Sequence, residues 1–246
     1  MIELIIFGIL QFFAAILSGA AGGGFIIAPL LIIFGLSPAT AIATAKMGGV
    51  GLGIGTSSKF YGKKLASQKT IIIFSLLGLV TAILGTLLLI ELKDKQDFLQ
   101  KAVGLVILFI GIPMIYLKNM GLQRQNRSRF VKIIGTLLIG ITNVFHTLLS
   151  TGISIVQMTI FMSFFGMTAL SASATRRAMQ LTSALVSLAI LIPADLINYR
   201  FGIVSLVSAL GGGYVGAHLA VKKGNKFVVN MMALTSAALA IYLILG

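Results

Sequence analysis

Charged side chains divide the chain into long apolar runs. Residues 4–45 carry none over 42 positions, and residues 133–175 none over 43 with His146 neutral. A helix needs about 20 residues to cross a hydrocarbon core of about 30 Å, so each run must fold into more than one membrane segment. Shorter charge-free runs follow: 70–90 and 102–117 after the first, then 178–194, 201–221 and 227–246 after the second. Together they predict eight helical segments, roughly 4–34, 38–59, 70–91, 101–118, 131–165, 168–193, 201–221 and 226–245.

The longest interruption runs from Lys118 to Lys132, and it separates two stretches that resemble each other. With Phe34-Gly35-Leu36 placed over Phe165-Gly166-Met167, an offset of 131, Ser37 meets Thr168, Thr44 meets Thr175 and Lys46 meets Arg177. Upstream, Gly22-Gly23-Gly24 meets Gly152-Ile153-Ser154, and downstream Gly85 meets Gly216. The organisation this predicts is a first repeat over 1–118, a basic cytoplasmic linker over 119–130 and a second repeat over 131–246.

Composition fixes the class. The chain is 58% hydrophobic and 10% charged, where a soluble domain carries roughly a quarter charged residues. A water-soluble enzyme, a DNA-binding domain and a disordered chain are excluded by those numbers. The fold class is all-α, a polytopic membrane protein. Cysteine is absent, which removes disulfides, thiolate metal sites and thiol nucleophiles. Residues 1–18 lack a basic leader, and the apolar run passes through Ser18-Gly19-Ala20-Ala21 to Phe34, so it reads as a membrane segment and not a signal peptide.

The net charge of +14 belongs to the loops. Four lysines lie in 59–69, five basic residues in 118–132 and three in 222–226. Eight simple crossings would put the last loop opposite the other two. Inverted repeats with broken or re-entrant first segments put all three on one side, the cytoplasm, with both termini outside. The plain eight-helix topology with termini inside is the rival. No basic face is soluble, so the charge is not a nucleic-acid footprint.

Candidate chemistry sits inside the runs. Three successive glycines, Gly22, Gly23 and Gly24, should break the first helix. A break in lipid is tolerable where it lines a cavity, and a helix restarting at Phe25 would aim free N–H groups at an anion there. Close helix packing is the other use of such glycines. The counterpart, Thr151, Gly152 and Ser154, offers hydroxyls. Lys46 and Arg177 lie about 20 residues beyond these breaks, with Arg176 alongside. Buried cations are costly and face a cavity or a partner, and every acidic residue lies at a segment end. Snorkelling to an interface is the alternative, most of all for Arg176. Thr44, Thr175 and Gln180 add donors near these cations, though a threonine in a helix can also bond its own i−4 carbonyl.

Gln11, Asn143, His146 and Gln157 are polar positions deep in the runs. His146 could relay protons or serve as a neutral donor between helices. Glycines at 49, 51, 53 and 55 and at 211, 212, 213 and 216 suit tight packing. No carboxylate pair or metal-ligand cluster is present, so no catalytic residue, metal or cofactor is predicted; the chain moves a solute and transforms nothing.

Ser18-Gly19-Ala20-Ala21-Gly22-Gly23-Gly24-Phe25-Ile26-Ile27-Ala28-Pro29-Leu30 and Gly35-Leu36-Ser37-Pro38-Ala39-Thr40-Ala41-Ile42-Ala43-Thr44 resemble two stretches typical of the TauE/SafE family of sulfite and organosulfonate exporters. The resemblance implies carriage of small sulfur-containing or organic anions across the cytoplasmic membrane. The chain departs from the family in its second half, where Ser150-Thr151-Gly152-Ile153-Ser154 replaces a second glycine-rich break. The reading is a secondary transporter of a small oxyanion, with a passive anion channel as alternative. Its partners are the anion and membrane lipid, with a proton or sodium as coupling ion and a homodimer left open.

Overall fold

The computed structural model of the protein describes residues 2–21, 27–61, 63, 65–95, 98, 121–150 and 153–245, with side chains as far as Leu234. Among them are eight helices: α1 (Ile2–Ala21), α2 (Ile27–Ile33), α3 (Pro38–Phe60), α4 (Gln68–Glu91), α5 (Arg129–Leu149), α6 (Ile153–Phe165), α7 (Ala169–Leu191) and α8 (Tyr199–Leu245). Gly224, at φ 80°, interrupts α8. No strand occurs among the described residues. The expected segments 4–34 and 131–165 each resolve into a pair, α1 with α2 and α5 with α6. The segment expected over 101–118 lies outside the described residues.

Among the described residues, four stretches are long and apolar enough to cross a membrane: α1, α4, α5 and residues 199–234 of α8. α3 and α7 are as long but far less apolar, and burial explains why. Sixteen of the 23 residues of α3 are buried, against seven of 24 in α4. α4 turns Ile72, Leu76, Leu84 and Leu87 outward, as a helix facing lipid should. α3 and α7 sit among other helices, where glycines, hydroxyls and charges that lipid would reject are tolerated.

The two halves share local backbone solutions. Gly35 and Gly166, 131 residues apart, both adopt left-handed conformations, at φ 86° and 62°. Two residues on, Ser37 and Thr168 cap α3 and α7 by accepting the N–H of Thr40 and Ser171. Such a cap is worth about 1 kcal/mol.

The halves also interlock. α1 packs on α8 and α5 on α4, while α3 packs on α8 and α7 on α4. Glycines set the closeness of these contacts. A Cβ on Gly216 would strike the Ile16 carbonyl, and one on Gly85 would strike the Val144 carbonyl and Thr147. Gly51 and Gly55 stand in the same way against the carbonyls of Leu206 and Leu210. Within lipid such contacts are held by dispersion across closely apposed backbones. Aromatic clusters close the packing. Phe7 meets Phe34 and Phe201 at 5.5 and 5.1 Å, and Phe74 meets Phe161 and Phe165 at 4.8 and 5.1 Å.

The basic loops share one end of the bundle. The Ala169 N–H donates to the Gly121 carbonyl at 2.8 Å, and Asn225 links the Leu170 N–H at 3.0 Å to the Leu122 carbonyl at 3.4 Å. Phe60 and Leu65 pack with Ala174, Ala217 and Val221 at that same end. Away from it, the Asn198 N–H donates to Thr44 Oγ1 at 3.0 Å.

Candidate functional site

α3 and α7 carry the intramembrane cations into the interior. Lys46 is 7% exposed, and Arg176 and Arg177 are 0% exposed. The alternative, that Arg176 snorkels to an interface, does not fit a side chain this deeply buried. Neighbouring positions on a helix point about 100° apart, yet both guanidiniums are retained, because amides wait on each side. Arg176 Nε donates to Gln157 Oε1 at 3.1 Å and its Nη1 to Gln180 Oε1 at 3.3 Å. Arg177 Nη1 donates to the same Gln180 oxygen at 2.6 Å.

Two further bonds tie the cations across the halves. Lys46 Nζ donates to the Thr147 carbonyl at 2.5 Å, in the last turn of α5. Arg177 Nη2 donates to the Ser18 carbonyl, in the last turn of α1. The last four carbonyls of a helix have no partner within it and carry its negative dipole end. Arg177 thus meets a carbonyl in the last described turn of α1, and Lys46 caps α5. Ser150, in the left-handed region at φ 49°, ends α5 beside that contact.

A cavity of about 30 Å³ lies against Lys46, and His146, Thr147, Ser150, Gln180 and Ser187 also line it. That space suits one or two waters. Among the described residues its wall holds a cation, hydroxyls and an amide but no acid, which favours a negative occupant. Ile27, the first residue of α2, also lines it.

Not every predicted residue converges there. Thr175 donates to the Ser171 carbonyl of its own helix at 2.9 Å, and Thr44 is occupied by the N–H of Asn198. Neither lines the cavity, and nor do Arg176, Arg177 and Ser154; the hydroxyls of Thr44 and Thr175 are engaged with backbone. Ser154 is buried, and its Oγ has no partner among the described residues. Gly22, Gly23, Gly24, Phe25, Thr151 and Gly152 lie outside the described residues. Ser183 and Ser187 were missed. With Arg176 and Gln180 they form a ladder at spacings of four, three and four residues, the signature of one helix face. No group of His, Asp and Glu that could hold a metal occurs among the described residues.

Comparison with known proteins agrees with this architecture. The family model described as "Sulfite exporter TauE/SafE" matches residues 7–243. The "Probable membrane transporter protein YfcA" of Escherichia coli K12 is 25% identical over 98% of this chain and 90% of its own length. A "Probable membrane transporter protein" of Haemophilus influenzae is 25% identical over 88% and 84%. The "Probable membrane transporter protein ORF9" of a Sinorhizobium species is 25% identical over 95% and 90%. No solved structure matches significantly. With nearly its whole length covered by the family model, and with apolar spanning helices around a buried polar centre, the chain belongs to the TauE/SafE family of membrane transporters.

Proposed function

We propose that the protein is a secondary transporter of a small oxyanion, sulfite or a sulfonate, across the cytoplasmic membrane by alternating access. The observation that carries this reading is the buried Lys46 on the wall of a cavity with no acid among its described lining, where Gln180 on the same wall collects the fully buried guanidiniums of Arg176 and Arg177. Three buried cations are costly to keep in a membrane protein, and an anion that comes and goes gives them a use. Backbone N–H groups of residues 22–25 and the hydroxyls of Thr151 and Ser154 are further proposed contacts.

The architecture supports inverted repeats with both termini outside. The exchange of first and fourth helices between halves and the gathering of basic loops at one end both fit that topology. A cavity of about 30 Å³ is too small for a sulfonate, so this is a closed form. Opening requires the ends of α1 and α5 to leave Arg177 and Lys46, which rocking of one half against the other achieves. His146, on the cavity wall, is the proposed proton relay.

The test is sulfite flux into proteoliposomes with Lys46→Ala and Arg177→Ala, each checked for folding. Saturable wild-type flux with counterflow, falling by about tenfold or more in each variant, is expected from the loss of charge-assisted contacts. Wild-type rates in both variants reject the site, and flux without saturation or counterflow makes the protein a channel. An imposed pH gradient that leaves wild-type flux unchanged removes the role given to His146.

A further inference from the structure

A chain of hydrogen bonds with fixed polarity ends on Arg176. Ser183 Oγ donates to the carbonyls of Gly78 and Met179, at 3.0 and 2.9 Å. Thr81 Oγ1 donates to the Leu77 carbonyl at 2.7 Å. A hydroxyl has one proton, so both oxygens can only accept from Asn143. Asn143 must therefore turn Nδ2 toward them, at 2.7 Å from Thr81 and 3.2 Å from Ser183. Its Oδ1 then faces Gln157, whose Nε2 donates to it at 3.3 Å. That leaves Gln157 Oε1 to receive Arg176 Nε. Helix carbonyls of α4 and α7 thus dictate, through two hydroxyls and two amides, how one guanidinium is held.

With Nε and Nη1 engaged, Arg176 Nη2 has no partner among the described residues, although the side chain is fully buried. Ser154 lies three residues before Gln157 and so on the same face of α6. It too is fully buried, with an Oγ that lacks a partner among the described residues. A buried donor left unmade costs about 1–3 kcal/mol, so two such groups, one on the same helix face as Gln157 and one on the guanidinium that Gln157 holds, point to an occupant.

We propose that Thr81, Ser183, Asn143 and Gln157 are positioning residues, which hold the Arg176 guanidinium so that Nη2 and Ser154 Oγ are presented to the transported oxyanion. This rests on the transport reading above. The competing role is helix gluing, since the same bonds join α4, α5, α6 and α7. Gln157→Glu separates the two. As glue, a carboxylate still accepts from Arg176 but can no longer donate to Asn143 Oδ1, so the melting temperature falls while KM stays put. As a positioning device, the carboxylate cancels the charge that the anion needs.

The experiment measures KM and kcat for radiolabelled sulfite in proteoliposomes, with melting of each variant in detergent. Gln157→Glu is expected to raise KM about tenfold or more with kcat little changed, the pattern of lost ground-state binding. Ser154→Ala is expected to raise KM about threefold with an unaltered melting temperature, because the removed hydroxyl has no partner among the described residues. Should Gln157→Glu fail to fold, Ser154→Ala decides. Wild-type KM in the folded variants, beside a wild type that moves sulfite, overturns this inference alone. A wild type that neither binds nor moves sulfite overturns the transport reading and this inference with it.

Discussion

Lys46 and Arg177 hold equivalent places 131 residues apart, yet the helices carrying them are built on different plans. Beyond Lys46, α3 continues with glycines at 48, 49, 51, 53 and 55. The equivalent positions of α7 are Met179, Gln180, Thr182, Ala184 and Val186. α3 presses backbone against the backbone of α8. α7 meets α4 through side chains, with Ser183 on the Gly78 carbonyl and Ser187 accepting from Thr86 at 2.8 Å. Where the helices face each other, a Cβ on Gly49 would lie 3.8 Å from Nε2 of its own counterpart, Gln180. α3 has no side chain at 49, and α7 uses the room for an amide that gathers two guanidiniums. The two helices thus keep a cation at matching places in the sequence register and divide the remaining tasks.

The largest effect should come from filling the glycine side of this comparison. Gly51→Leu drives a side chain into the Leu206 backbone, which cannot yield as a flexible side chain would. Overpacking costs typically about 1–3 kcal/mol where neighbours can shift, and more against backbone. Thr182→Leu, at the equivalent place on α7, alters a half-buried residue whose hydroxyl bonds only its own turn, at 3.1 Å from the Ala178 carbonyl. Size-exclusion chromatography in detergent should show Gly51→Leu aggregated or absent and Thr182→Leu monodisperse. Equal behaviour of the two would erase the distinction between the helices.

A smaller effect separates the cations. Arg177→Met removes bonds to Gln180 and to the Ser18 carbonyl, whereas Lys46→Met removes one to the Thr147 carbonyl. Hydrogen bonds to charged groups contribute about 1.5–3 kcal/mol each, partly offset because a buried charge is also taken away. Arg177→Met should therefore melt lower than Lys46→Met by several degrees, at about 2–4 °C per kcal/mol for a chain of this size. The reverse order would mean that the α5 cap, not the α1 cap, holds the halves together.

Much of this plan was legible in the sequence. Charge-free runs located the helices, because few ionised groups survive in lipid. Gly35 and Gly166 anchored the register between the two stretches, and both prove to be left-handed turns, a backbone that selects glycine. Lys46 and Arg177 were paired by register alone. Their acceptors were not legible: Thr147 and Ser18 serve through carbonyls, which every residue has, from 101 and 159 positions away. The backbone bonds of Thr44 and Thr175 were no more legible, since a hydroxyl beside a cation in sequence is free to turn to backbone. The polar ladder Arg176, Gln180, Ser183, Ser187 was readable by its spacing, and it marks α7 as the helix built from side chains.

The finest probe of the comparison is Gly49→Ala. Unlike Gly51, Gly49 has room for a methyl: its Cβ would lie 3.4 Å from that of Ala184 and 3.8 Å from Gln180 Nε2, both ordinary contacts. Alanine also favours the helix by up to about 1 kcal/mol over glycine, so the melting temperature should hold or rise slightly. Gly49 nevertheless lines the cavity of about 30 Å³ beside Lys46. A methyl there takes up much of the space that water or an anion would use and crowds the amide that collects Arg176 and Arg177. Sulfite flux should therefore fall by about twofold to fivefold in a protein at least as stable as the wild type, an effect on the order of 1 kcal/mol or less. Unchanged flux at that stability would mean that the space between Gly49 and Gln180 serves packing only. The division of labour between the two helices would then concern the fold and not the solute.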